Sequence, residues 1–212
     1  MIQVQNLTKY YGQCCVLNNV TINFESGHIY GLVGPNGCGK TTLMRCICGF
    51  IHPSSGSIRI DGKIIGTDCD FAPNTGIIIE SPGFLPQHTA RQNLRIMAGI
   101  SGNVRTCDID SIIQRVGLDP EDKRPVHKYS LGMRQRLGIA QALMENPTNL
   151  ILDEPFNGLD KQGKSDMNVL LQEQKKRGVT VILASHSLTD ISRACDVVYE
   201  LQSGKIRKEE LI

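Results

Sequence analysis

Residues 34–42 read Gly34-Pro35-Asn36-Gly37-Cys38-Gly39-Lys40-Thr41-Thr42, and this stretch decides how the rest of the chain is read. A glycine, four intervening residues, then Gly-Lys-Thr form the phosphate-loop pattern. Glycines let successive backbone N–H groups turn inward around a phosphate chain, and a following helix N-terminus adds a favourable dipole. In that geometry Lys40 reaches the β- and γ-phosphates, the Thr41 hydroxyl ligates Mg²⁺ and Thr42 donates to the α-phosphate. The pattern needs a strand before it and a helix after it. His28-Ile-Tyr-Gly-Leu-Val33 is a continuous apolar run suited to a buried strand. The segment from Lys40 to about Gly49 reads as the helix.

Working outward, Ile2 to Val4 and Val20 to Phe24 alternate as short strands, with turn residues at Gly12, Asn18-Asn19 and Ser26-Gly27. Ser55 to Gly62 reads as a hairpin-like strand, and Thr75 to Glu80 as an apolar one. Leu150 to Leu152 and Val179 to Leu183 are two further apolar strands. Between them, Gly163 to Arg177 has a helical pattern ending in Lys175-Lys176-Arg177, where cations are favoured. Residues from about 83 to 147 are helix-rich. There, Leu131 to Met144 places Leu131, Leu137, Ala140, Leu143 and Met144 on roughly one face. Strands alternating with helices predict an α/β core with a mostly parallel sheet, into which the helix-rich middle is inserted.

Charge and composition narrow the function classes. The 23 Lys and Arg nearly balance 21 Asp and Glu, for a net charge of +2. Residues 1–106 carry 8 basic and 5 acidic side chains, and residues 107–212 carry 15 and 16, so no nucleic-acid partner is expected. The longest apolar runs are a few residues and span no bilayer. The N-terminus lacks a charged leader with an apolar stretch, which argues against secretion. The eight cysteines have no zinc-ligand spacing and read as reduced, small apolar side chains.

A phosphate loop needs a second carboxylate for magnesium, usually where an adjacent apolar strand ends. Asn149-Leu-Ile-Leu-Asp153-Glu154 supplies it. Asp153 is the expected metal residue, and Glu154 the base that polarises the attacking water. A GTPase of the common kind would carry an Asn-Lys-x-Asp motif, which this sequence lacks.

With these motifs the chain resembles the ATP-binding cassette family, specifically the nucleotide-binding subunits of membrane transporters. Tyr11, just before Gly12, matches the family's adenine-stacking aromatic, with Tyr10 as the second candidate. Ser130-Leu-Gly132-Met-Arg-Gln-Arg136 resembles the signature motif, and Asn157-Gly-Leu-Asp160 the loop that communicates between paired subunits. Ser185-His186 matches the switch histidine that contacts the γ-phosphate. The resemblance implies a phosphate-loop ATPase core, an N-terminal antiparallel β-subdomain and an inserted α-helical subdomain over about 82–147. One nucleotide-binding domain would then fill 1–212, leaving no room for a fused transporter. It further implies ATP and Mg²⁺ as cofactors, and a separate transmembrane permease subunit as partner at the cytoplasmic face of the membrane. It also implies a second nucleotide-binding subunit, identical or different, facing this one head to tail. The alternatives are a non-transport phosphate-loop ATPase or a regulatory nucleotide-binding module. Lys40, Asp153, Glu154 and His186 together disfavour dead chemistry.

Two positions depart from the commoner family pattern. Glu80 stands where a glutamine is usual, and as a carboxylate it binds Mg²⁺ more strongly while repelling the γ-phosphate. Tyr129-Ser-Leu-Gly-Met133 replaces Leu-Ser-Gly-Gly-Gln. Both departures resemble the bacterial branch of bacitracin-resistance and lantibiotic-immunity transporters, which makes antimicrobial-peptide export or self-protection the expected role. Phe84, Leu85 and Pro86 are candidate exposed contacts for the membrane subunit.

Overall fold

The apolar runs of the sequence lie side by side as the inner strands of one sheet. In the computed structural model, residues 1–80, 82–102 and 106–209 are described. Within them the chain runs β1 (Ile2–Tyr11), β2 (Cys14–Phe24), β3 (Ile29–Val33), α1 (Lys40–Cys48), β4 (Ser55–Ile60), β5 (Lys63–Ile64) and β6 (Thr75–Ile78). Next come α2 (Ala90–Ser101), α3 (Thr106–Arg115), α4 (Leu131–Leu143), β7 (Asn149–Asp153) and α5 (Lys161–Lys176). The chain closes with β8 (Thr180–Ala184), α6 (Leu188–Ala194), β9 (Val197–Gln202) and β10 (Lys205–Glu209). Residues 81, 103–105, which fall within the expected helical insertion, and 210–212 lie outside the described residues.

Two sheets result. A four-stranded antiparallel sheet has the order β2-β1-β4-β5, and a six-stranded sheet has the order β10-β9-β3-β8-β7-β6. In the larger sheet β9, β3, β8, β7 and β6 are parallel, and only β10 runs antiparallel on the edge. Strands β3, β7 and β8 are buried along their whole length. Their side chains alternate between two cores, as the two-residue period of a strand requires. Leu150, Leu152, Val181 and Leu183 face the core that includes α4 and α5 residues. Ile151, Ile182 and Ala184 face the one shared with α1 and the antiparallel sheet. The helices α2, α3 and α4 fall between β6 and β7, where the sequence placed the insertion.

Three details differ from the sequence reading. The first two strands are far longer than expected, because they pair from Ile2↔Phe24 to Tyr11↔Cys14 through several register shifts that break the alternation. Leu131 is 57% exposed, since the first turn of α4 projects beyond the core that buries Leu137, Ala140 and Leu143. Phe84 packs against the core rather than standing free, whereas Leu85 is exposed. Among the described residues, no helix is long and apolar enough to cross a membrane.

Candidate active site

The loop after β3 is shaped by what its glycines exclude. Gly34 has φ 146°, and a Cβ there would lie 2.2 Å from the Leu201 carbonyl of β9. Only glycine lets the chain leave the strand at that point. The helix α1 follows from Gly39, and among the described residues no side chain caps its N-terminus. By contrast, Thr89, Ser130, Asp160 and Ser187 cap α2, α4, α5 and α6. The first N–H groups of α1 are thus left for an anion. Lys40 is buried, and its ammonium donates to the carbonyls of Gly34 at 2.7 Å and Pro35 at 3.2 Å.

Parallel strands bring the acidic residues to the same end of the sheet. Asp153 closes β7, and its Oδ2 accepts a hydrogen bond from Thr41 Oγ1 at 2.8 Å. Burial pushes the Asp153 carboxyl above the usual aspartate range; the Thr41 hydrogen bond opposes this, and the Glu154 charge adds to it. Glu154 follows in a left-handed backbone conformation at φ 50°, with its N–H donating to the Ala184 carbonyl at 2.8 Å. Its Oε2 accepts from Ser185 Oγ at 3.0 Å. Its Oε1 accepts from the His186 backbone N–H and lies 2.9 Å from His186 Nδ1. The strand ends of β7 and β8 therefore hold Glu154 and His186 as one unit.

Asn36, Gly37, Gly39, Lys40, Thr41, Thr42, Glu80, Asp153 and Glu154 line one cleft of about 670 Å³. Glu80 enters it at φ 64°, paired with Arg45 of α1. Tyr11, Ser130, Gly132, Asp160 and His186 are not among its lining residues. Tyr11 is exposed at the end of β1, with the Lys9 ammonium 5.2 Å from its ring centre. Ser130 Oγ accepts from Met133 N–H as the cap of α4, and Asp160 Oδ1 from Gly163 N–H as the cap of α5. These two helix starts touch: a Cβ on Gly132 would lie 2.6 Å from the Gly158 carbonyl.

A family model described as ABC transporter matches residues 17–157. The chain belongs to the ABC transporter family. It is 44% identical over 212 residues to the ABC transporter ATP-binding protein YybJ of Bacillus subtilis, covering 100% of this chain and 97% of that one. It is 43% identical to the bacitracin transport ATP-binding protein BcrA of Bacillus licheniformis, covering 99% of this chain and 69% of that one. The lantibiotic transport ATP-binding protein SrtF of Streptococcus pyogenes is 39% identical, covering 99% and 90%. Among solved structures, the fold matches the dimeric MJ0796 cassette with a TM-score of 0.88 at 24% identity, covering 100% of this chain and 99% of that one. An ATP-binding subunit of an ABC transporter matches with a TM-score of 0.88 at 28% identity, covering 100% and 90%.

Within this ABC cassette, Arg134, Gln135, Asn157 and Ser185 lie inside the motif stretches without a motif role of their own, and Arg45 lies outside them. Gln135, buried on α4, lines the cleft and donates to the Glu154 carbonyl at 3.4 Å. Arg134 and Asn157 also line it. Ser185 holds the carboxylate of Glu154, and Arg45 that of Glu80. The sequence signal for Arg45 is its place one helical turn after Thr41.

Proposed function

We propose that this ABC cassette binds ATP with Mg²⁺ over the phosphate loop, hydrolyses it and so powers a separate membrane permease. The observation that carries this reading is the convergence of Lys40, Thr41, Asp153 and Glu154 on one cleft. The metal fits the donor set: the Thr41 hydroxyl and the buried Asp153 carboxylate are hard oxygen ligands 2.8 Å apart, and Glu80 lines the same cleft. Bound Mg²⁺ supplies charge neutralisation for the β- and γ-phosphates. The free N–H groups of α1 and the Lys40 ammonium bind the phosphate chain, with Lys40 turning from the Gly34 carbonyl to meet it. Glu154 accepts the proton of the attacking water at its carboxylate, which Ser185 and His186 orient. His186, exposed beside it, contacts the γ-phosphate.

Tyr11 is assigned to adenine stacking. Ser130, Gly132 and Asp160 are assigned to the nucleotide of a second cassette, identical or different, which completes the site. On this reading residues 1–212 form one nucleotide-binding domain with a helical subdomain at about 82–147, held at the cytoplasmic face of the membrane by the permease. Export of antimicrobial peptides is supported by the names of BcrA and SrtF, together with Glu80 and the Tyr129–Met133 signature.

Glu154→Gln tests the chemistry. Phosphate release should fall by about 10²-fold or more, the size of a lost general base. Binding of a fluorescent ATP analogue should persist. Turnover at the parent rate would move the base to another residue.

A further inference from the structure

Thr41 and Arg45 are four residues apart on α1 and so share one face of that helix. This face meets the ends of two neighbouring parallel strands, β6 and β7, which pair through Ile78 and Leu152. Thr41 holds Asp153 at the end of β7, and Arg45 Nη2 lies 2.5 Å from Glu80 Oε1, two residues beyond β6. One helix face thus clamps a carboxylate at each strand end. Glu80 also lines the nucleotide cleft, alongside Asp153 and Glu154. Three carboxylates around one cleft repel a triphosphate through space, and Lys40 offsets only part of that charge.

We propose that Arg45 is a positioning residue for this site. Its guanidinium neutralises Glu80 and holds that carboxylate on the α1 side, so the cleft accepts a phosphate chain despite its third acidic group. This rests on the nucleotide-binding reading above. The pair is partly exposed, with side-chain exposures of 37% and 64%, so it contributes little to fold stability. Its consequence is local charge, and it is largest when no Mg²⁺ screens the phosphates.

The test compares the parent protein, Arg45→Ala, Glu80→Gln and the double variant. The probe is a fluorescent trinitrophenyl-ATP, titrated in EDTA and again in saturating Mg²⁺. Arg45→Ala should weaken metal-free binding about two- to fivefold, the range of an exposed charge pair. The loss should shrink in Mg²⁺ and vanish in the Glu80→Gln background, where no charge needs a partner. Arg45→Lys should recover most of the affinity. An equal loss in both backgrounds overturns the proposal, because Arg45 then acts without Glu80. No loss in the parent background overturns it as well. Thermal melts compare the folding of each variant, and Arg45→Gln replaces alanine if that variant does not fold. A parent protein that binds no probe in either condition would instead overturn the nucleotide-binding reading.

Discussion

Asp153 is a buried carboxyl at the end of β7. Most aspartates in folded proteins are drawn down by partners, but burial raises this one more than the Thr41 hydroxyl and Lys40 lower it. A raised carboxyl keeps its proton longer in the folded state than in the unfolded one. Stability therefore falls as pH climbs from the ordinary aspartate value through the raised one, and the cost remains at neutral pH. Asp153→Asn removes that cost while leaving an oxygen to accept from Thr41. Its melting temperature at pH 7 should rise by roughly 1–3 °C, with Mg²⁺-dependent hydrolysis lost. A lower melting temperature, measured by differential scanning fluorimetry, would show that the carboxylate stabilises the fold. The residues of this site divide by how their partners are reached. Lys40, Thr41, Asp153 and Glu154 belong to local patterns, so the sequence spells them out. Arg45, Ser185 and Gln135 act through neighbours 35, 31 and 19 positions away, and only the sheet order brings them together.

Arg136 ties three helices at one point. Its Nη1 donates to the Val116 carbonyl just beyond α3 at 2.8 Å, and its Nη2 to Asp166 of α5 at 3.2 Å, while its own backbone belongs to α4. The Asp166 side chain is 46% exposed, while that of Arg136 is 19% exposed. The carbonyl it meets is one of those that a helix end leaves unpaired. Arg136→Gln loses the charge-assisted bonds, worth about 1.5–3 kcal/mol, so the melting temperature should fall by roughly 3–10 °C. An unchanged melting curve would mean that the tie carries no load. Elements were legible where burial is complete on both faces: β3, β7 and β8 announce themselves as continuous apolar runs. The long hairpin of β1 and β2 was only half visible, because its outer positions are polar and its register shifts interrupt the period. Strand β9 was missed because its six residues include Tyr199, Glu200 and Gln202, and it is placed by pairing with β3 rather than by its own composition.

Across the whole molecule, Ser130, Gly132 and Asp160 do not line the cleft formed by the phosphate loop, although Leu131, Arg134, Gln135, Asn157 and Gly158 from the same two segments do. Ser130 and Asp160 cap exposed helix starts that pack together through Gly132 and Gly158. Phosphoryl transfer spreads negative charge over more oxygens than one lysine and one metal ion cover. A second cassette set head to tail would supply the missing donors, and a net charge of only +2 puts little repulsion in the way of two identical chains meeting. If each site needs both chains, hydrolysis per chain depends on the fraction paired. In the purified cassette at saturating ATP, the rate should then rise faster than protein concentration at low concentrations and become proportional once pairing saturates. Ser130→Ala should lower the plateau, while Glu154→Gln, which binds ATP without releasing phosphate, should shift chains into stable pairs visible by gel filtration. Strict proportionality throughout a wide dilution series, with no larger species in the Glu154→Gln protein, would mean that one chain completes its own site.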